Sequence, residues 1–152
     1  MRIAGIIEIW KPLLKYKTKD ITYEFNPKYE ISNTGKIRNI KTKEEISYCE
    51  DHLLEKGSFH RRTRICAKKI NGKSVRPHVI IARAVAMNFI KVNGLTEDDL
   101  IKLEVDHIDG NPLNDSVDNL QWCLPKENKK FNGFGSGHYS IISEQTREGV
   151  DY

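Results

Sequence analysis

A chain of 152 residues, 38% hydrophobic and 30% charged, can form one compact domain or two small ones around an ordinary core. Its mean hydropathy of −0.58 and the lack of an apolar run near about 18 residues argue against a transmembrane helix, and we expect no signal peptide because Glu8 ends the short apolar run at the N-terminus. The cysteines (Cys49, Cys66 and Cys123) are too far apart for a Cys-x-x-Cys zinc site, which indicates reduced thiols and a cytoplasmic setting.

The net charge of +4 is modest, but the charges are unevenly distributed. From Lys56 to Lys91 the chain has ten basic residues and no acidic one, whereas from Glu97 to Asp118 it has eight acidic residues and only Lys102 opposing them. A basic segment suits a polyanion such as a nucleic acid, and an acidic patch can hold a divalent cation. A solvated basic face on an ordinary protein stays open as an alternative.

Residues 1–74 are predicted to form a β-rich region. Residues 21–25 alternate apolar or aromatic with polar side chains, as a half-buried strand does. Residues 29–32 and 36–40 flank Asn33-Thr34-Gly35, and because Asn and Gly tolerate positive φ, a tight hairpin is expected there. Its outward-facing residues would include Lys36, Arg38 and Lys41.

The middle of the chain predicts a strand followed by a helix. Residues 61–67 alternate charged and uncharged side chains, which suggests an edge strand, and Asn71-Gly72 indicates a turn. Pro77 is favoured in the first turn of a helix, and the helix would extend to about Ile90. Ile81, Val85 and Phe89 have the i, i+4, i+8 spacing of a buried stripe.

The segment after Asn93-Gly94 predicts a short helix and then strand, loop, strand and helix. Thr96 and Asp99 have the spacing of a weak capping box. Residues 103–108 and 119–123 fit two strands around an Asp109-Gly110-Asn111 turn, and residues 125–130 resemble a helix start. The tail from 133 to 152 is Gly-rich and then polar, so it receives no regular structure.

An acid and an imidazole stand side by side at Asp106-His107, and the amides Asn119 and Asn128 follow. Imidazole can take up a proton near neutral pH, as activation of a water requires. A carboxylate and an amide oxygen suit Mg²⁺, which would relieve charge on a phosphodiester. Neighbouring side chains on a strand point to opposite faces, so Asp106 and His107 could act together only if the strand twists or bulges there.

The segment 105–128 resembles the HNH endonuclease motif, a ββα-metal fold, and is most similar to the branch of phage and intron homing endonucleases in which the motif opens with Asp-His. The resemblance implies that His107 is the general base and that Asp106 and Asn128 bind one Mg²⁺ or Mn²⁺ ion. Asn119 would brace the loop between the strands and so orient the base, which makes it part of the catalytic set. It further implies 3′-hydroxyl and 5′-phosphate ends, and a phage-encoded protein in the cytoplasm of a bacterial host.

The resemblance extends upstream. Residues 8–12 and 29–39 are similar to a modular DNA-binding element that often precedes such nucleases. The expected α+β architecture is therefore a DNA-binding antiparallel sheet (1–74), a helix with the HNH nuclease motif (75–132) and a polar tail (133–152). Double-stranded DNA would contact the basic side chains, with Arg38 as the candidate for a base contact. These DNA-binding candidates are Lys36, Arg38, Lys41, Arg61, Arg62, Arg64, Lys68, Lys69, Lys129 and Lys130.

Two other functions stay open. A DNA-binding protein could keep this fold after losing activity, although every expected polar residue is present, and the nuclease could act on RNA. Asp109, Asn111 and Asn114 are expected to shape the turn rather than bind metal. His52, His60 and His138 are interpreted as surface residues. His78 is assigned to packing or hydrogen bonding, with a phosphate contact as the alternative, and Cys123 to the core.

Overall fold

A computed structural model of the chain describes residues 5–18, 20–47, 49–50, 61–124 and 144–150, with the backbone alone at 49–50 and 69–70. In these ranges the first strands are β1 (Trp10–Pro12), β2 (Lys15–Lys17), β3 (Thr22–Glu24), β4 (Tyr29–Ser32), β5 (Ile37–Asn39), β6 (Cys49–Glu50), β7 (Arg61–Arg64), β8 (Ala67–Ile70), β9 (Lys73–Val75) and β10 (His78–Ile80). They are followed by α1 (Ile81–Phe89), β11 (Ile90–Val92), α2 (Glu97–Leu100), β12 (Glu104–His107), a 3-10 helix (Val117–Asn119), β13 (Leu120–Cys123) and β14 (Gln145–Arg147). All of these strands pair antiparallel, and the α+β class is confirmed.

The predicted hairpin at residues 29–39 is present as β4 and β5, with β1 pairing along the other edge of β4. Ile31 and Ile37 face each other across the ladder and are buried. Gly35 has a φ of +91° in the connecting turn, so the positive φ falls on the glycine. The strand predicted at 21–25 is also confirmed, as β3, which pairs with β2.

The prediction of an edge strand at residues 61–67 is wrong. β7 is the central strand of a three-stranded sheet, with β10 on one side and β6 on the other. The alternation of charged and uncharged residues reflects the two faces of β7 and not an edge position, because Thr63 is buried while Arg64 is exposed. A second strand, β8, begins at Ala67 and turns at Asn71-Gly72 into β9, and both turn residues have positive φ, as such a tight turn requires.

The main helix begins at Ile81, four residues after Pro77. Residues 78–80 form β10 instead, because their backbone pairs with β7 and supplies the hydrogen bonds that a helix would otherwise provide. The buried stripe is confirmed, since Ile81, Val85 and Phe89 are all fully buried. α1 contacts strands from both halves of the chain and lies at the centre of one hydrophobic core. No helix in the described ranges has the length and apolar character to cross a membrane.

The capping box of α2 is confirmed by reciprocal hydrogen bonds between Thr96 and Asp99. The two strands predicted around residue 109 are present as β12 and β13, and Cys123 is buried as expected. The helix expected at residues 125–130 lies outside the described residues.

The tail contributes a strand that the polar sequence did not predict. β14 pairs with β11, and the Gln145 side chain hydrogen-bonds both the N–H and the carbonyl of Trp122 at 2.9 Å. Arg147 donates to the Leu120 carbonyl, and Val150 bridges to Ile6. The described tail therefore joins the N-terminal segment to the β12–β13 hairpin.

Candidate active site

The Asp106-His107 pair lies at the end of β12, in a ladder that runs from Glu104 to His107 without a register shift. Asp106 is opposite Gln121, whose Nε2 donates to its Oδ2 at 3.1 Å. His107 is opposite Leu120, and its Nε2 lies 2.7 Å from an oxygen of Asp115. The strand thus has no bulge here, and the two side chains engage different partners, so the joint action of Asp106 and His107 would depend on the twist of the strand.

The partner of His107 is a buried carboxylate. Asp115 has a side chain that is 1% exposed, and its second oxygen accepts a hydrogen bond from Arg61 Nε at 2.8 Å. Arg61 comes from β7, so the ion pair connects the N-terminal half of the chain to the loop between β12 and β13. Because a carboxylate is buried only when it is paired or hydrogen-bonded, these two contacts account for its position.

Asn119 connects the end of this loop to its beginning and middle. Its Oδ1 accepts from the Asp109 N–H at 3.0 Å, and its Nδ2 donates to Asp109 Oδ1 and to the Asn114 carbonyl, both at 2.9 Å. The Ile108 N–H donates to the Asn119 carbonyl at 2.7 Å. A single, largely buried amide therefore ties the beginning, middle and end of this loop together.

Asp109 and its neighbours make the contacts of turn residues. Asp109 Oδ1 accepts from the Asn111 N–H at 2.7 Å, and its Oδ2 accepts from Asn114 at 3.1 Å. These hydrogen bonds, that of the Asn111 backbone first, lower the pKa of Asp109 below the ordinary value of 3.8, with a smaller contribution from His107. An ionised Asp109 therefore stabilises the loop.

The described residues hold one of the two predicted metal ligands. Asp106 is half-buried, with one carboxylate oxygen bonded to Gln121, whereas Asn128 lies outside the described residues. Within the described ranges no three His, Cys, Asp or Glu residues cluster as a metal site. A cation bound at Asp106 would have few ligands from this part of the chain. Oxygen donors in small number suit Mg²⁺, which keeps several waters.

The predicted DNA-binding side chains occupy different environments. Arg38 stacks on the Trp10 ring, 3.6 Å from its centroid, and pairs with Glu30, while Lys36 lies 3.7 Å from Glu8. Lys41 is exposed. Arg64 and Lys68 are exposed and contact His78 and Glu24. Arg61 and Arg62 are partly buried. The side chains of Lys69, Lys129 and Lys130 lie outside the described part of the structure.

The structure places one other histidine and shows two contacts of the Asp-His pair that the sequence did not predict. His78 lies in β10, where its Nε2 accepts from Arg64 Nε at 2.7 Å, while His52, His60 and His138 lie outside the described residues. Asp115 and Gln121 are contacts of the Asp-His pair that sequence reasoning missed. Alternation along the hairpin could have identified Gln121, but no local signal marks Asp115 as buried or pairs it with Arg61.

The hairpin with Asp106-His107 on one strand and a bracing asparagine before the other defines a nuclease-type domain. Residues 91–130 match the family described as HNH endonuclease, and residues 8–79 match the NUMOD4 motif. The chain therefore carries a NUMOD4 motif followed by an HNH endonuclease motif.

Similar proteins agree with this assignment. Two uncharacterized HNH endonucleases of Acanthamoeba polyphaga mimivirus are 34% and 30% identical, over 66% and 80% of this chain. This chain spans 25% of the length of each of them. Protein 3.8 of Escherichia phage T7 is 75% identical over 24 residues, which are 16% of this chain and 20% of that protein.

A solved structure, described as DNA binding and cleavage by the HNH homing endonuclease I-HmuI, matches with a TM-score of 0.51 and 27% identity. The match covers 89% of this chain and 66% of that chain. The likeness therefore includes both the N-terminal strands and the hairpin that carries His107.

Proposed function

We propose that this chain is a divalent-metal-dependent endonuclease that hydrolyses phosphodiester bonds of double-stranded DNA. The observation that carries the proposal is the β12–β13 hairpin, which presents Asp106 and His107 beside a loop braced by Asn119, within residues that match the HNH endonuclease family. The solved homing endonuclease that resembles this chain is described as binding and cleaving DNA, which supports the same substrate here.

His107 is the proposed general base. Its side chain is 10% exposed, and Asp115 occupies Nε2, so Nδ1 is the ring nitrogen available to a water. In the reaction Nδ1 takes a proton from that water as its oxygen attacks phosphorus and the bond to the 3′ oxygen breaks. The leaving 3′ oxygen takes a proton from solvent water, which gives 3′-hydroxyl and 5′-phosphate ends. Asn119 contributes indirectly, by fixing the loop against which His107 is placed.

Asp106 and Asn128 are the proposed ligands of one Mg²⁺ or Mn²⁺ ion. When bound, the cation supplies positive charge for the phosphoryl and leaving oxygens. The hydrogen bond from Gln121 orients the Asp106 carboxylate, which leaves its other oxygen as the metal donor.

The NUMOD4 element and the basic side chains are proposed to hold the DNA. Lys41 and Arg64 are exposed and suited to contact phosphates, whereas Arg38 could reach a base only by leaving Trp10 and Glu30. The phage protein among the relatives supports a phage origin, and with it action in the cytoplasm of a bacterial host.

A plasmid-nicking assay tests the proposal. Wild-type protein should convert supercoiled DNA to nicked or linear DNA with Mg²⁺ and should be inactive in EDTA, while His107→Ala should lose at least about 100-fold in rate. Asp20→Ala, at an exposed acid in the β2–β3 turn, is the control and should keep full activity.

The other outcomes distinguish the alternative functions. Protein that binds DNA but gives equal, metal-independent results for wild type and His107→Ala would be the inactive DNA-binding protein. Cleavage of RNA but not of a DNA duplex of the same sequence would identify the RNA-directed nuclease. Mapping the ends on both strands of a long DNA would then report specificity and strand count.

A further inference from the structure

A line of contacts runs from the N-terminal hairpin to the candidate base. Arg61 Nη2 donates to the Gly35 carbonyl at 3.2 Å, Arg61 Nε donates to Asp115 at 2.8 Å, and Asp115 contacts His107 Nε2 at 2.7 Å. The Arg61 side chain is 13% exposed and that of Asp115 only 1%. The NUMOD4 match includes Gly35 and Arg61, whereas the HNH match includes Asp115 and His107.

The packing around this line is tight. A Cβ added at Gly35 would lie 2.8 Å from Arg61 Nη2 and 3.1 Å from Asp115 Cβ, and the φ of +91° is itself a conformation that favours glycine. The turn of the β4–β5 hairpin therefore rests directly on the Arg61–Asp115 pair. Such packing fixes the carboxylate as well as shielding it from water.

We propose that Asp115 is a positioning residue for His107 and that Arg61, from the N-terminal element, holds Asp115 in place. This inference rests on the proposed role of His107 as general base. The carboxylate accepts the hydrogen on Nε2, which selects the tautomer whose Nδ1 has a free lone pair for the proton of water. Arg61 balances the charge of the buried carboxylate throughout.

The inference assigns Arg61 a different task from DNA binding. A phosphate contact adds affinity, so its loss would raise Kd and lower the salt dependence of binding. A positioning residue acts after binding, so its loss would lower the single-turnover rate at saturating protein and leave Kd nearly unchanged. The two roles therefore separate in kinetics.

The tautomer can be measured without metal, substrate or activity. In ¹⁵N-labelled, metal-free protein, long-range ¹H–¹⁵N spectra should report His107 with its hydrogen on Nε2. In Asp115→Ala the signal should shift toward a mixture of tautomers. A wild-type His107 with its hydrogen on Nδ1, or an unchanged spectrum in a folded Asp115→Ala, would overturn the inference.

Single-turnover cleavage gives the second measurement. We expect Asp115→Ala to lose about 10- to 100-fold in rate and Arg61→Met about 10-fold, each with less than about a threefold change in Kd. Asp115→Asn has one acceptor oxygen where Arg61 Nε and His107 Nε2 need two, so it should lose rate as Asp115→Ala does. Asp118→Asn, an exposed acid in the same loop, is the matched control and should behave as wild type.

Removal of one partner from a buried pair can unfold a protein, so an Arg61→Met/Asp115→Asn double variant is included. Because both charges are lost together, it should fold and should be no slower than the slower single variant. Arg61→Met with a wild-type rate and a raised Kd would overturn the inference in favour of a phosphate contact. An inactive wild type would contradict the proposed function, while the tautomer spectra would still decide whether Asp115 positions His107.

Discussion

The β4–β5 and β12–β13 hairpins each depend on one buried asparagine, but the two amides act over very different distances along the chain. Asn33 accepts from the Ile9 N–H at 3.0 Å and donates to the Ile7 and Glu148 carbonyls at 2.9 and 3.0 Å. Its partners are thus 24, 26 and 115 residues away. The side chain of Asn119 contacts residues only five and ten positions away.

The difference explains how the two hairpins are stabilised. Asn33 joins both described ends of the chain to a turn, and its carbonyl also accepts from the Val117 N–H in the nuclease loop. Asn119 completes a loop that is largely self-contained. The amide of Asn33 therefore stabilises the tertiary structure, whereas the amide of Asn119 shapes the candidate active site. Substitution of Asn33 should mainly lower stability, and substitution of Asn119 should mainly lower activity.

The largest effect is expected at Asn33. Asn33→Ala leaves the Ile9 N–H and two carbonyls without their partner, which should lower the free energy of unfolding by about 3–5 kcal/mol. Urea denaturation followed by circular dichroism measures the change. Asn39→Ala, which removes only local turn bonds to Lys41 and Thr42, should cost about 1 kcal/mol. Equal losses at the two positions would contradict the long-range role of Asn33.

Asn119→Ala should affect cleavage more than stability. Its partners lie in a loop that water can reach, so the free energy of unfolding should fall by about 1–3 kcal/mol. Displacement of the loop beside His107 should lower the single-turnover cleavage rate about 100-fold. Both the cleavage rate and the free energy of unfolding should be measured on the same preparation of Asn119→Ala. A variant that is less stable but cleaves at the wild-type rate would show that the loop does not position the base.

Acid should remove the stability that depends on Asp109 and should leave the stability that depends on Asn33 unchanged. The folded pKa of Asp109 is lowered, so its contribution to stability is present above the ordinary value of 3.8 and is lost as the pH falls through the folded pKa. The stability difference between wild type and Asp109→Asn should therefore shrink between about pH 6 and about pH 3. The loss caused by Asn33→Ala should be the same at both pH values, because its hydrogen bonds are all to backbone atoms.

The smallest effect is expected at Lys41, beyond the β4–β5 hairpin. If this exposed side chain contacts a phosphate, Lys41→Ala should raise Kd a few-fold and reduce the slope of log K against log salt by about 0.9. The single-turnover rate at saturating protein should not change. Lys102→Ala, at an exposed lysine in the acidic segment, is the control. An unchanged salt slope for Lys41→Ala would remove this residue from the DNA interface.

Local patterns accounted for much of the fold. Three features depend on residues within a few positions of one another and could therefore be predicted from the sequence. They are the β4–β5 hairpin, the buried stripe of α1 and the capping box of α2. The start of α1 was missed because residues 78–80 pair with β7, and β7 was placed at an edge because its second neighbour, β6, could not be recognised. A polar tail gave no sign that β14 would pair with β11.

The sequence by itself determined the family resemblance and the candidate site residues from Asp106 to Asn119, because that chemistry lies in one short segment with local hydrogen bonds. Only the tertiary structure decided the long-range partners, both in the site and in the β4–β5 hairpin. Asp115 and Arg61 are 54 residues apart, and Asn33 and Glu148 are 115 apart. Such pairs form because the core around α1 brings their strands together and buries polar groups that must then find partners. A local sequence pattern could not have predicted these long-range pairs.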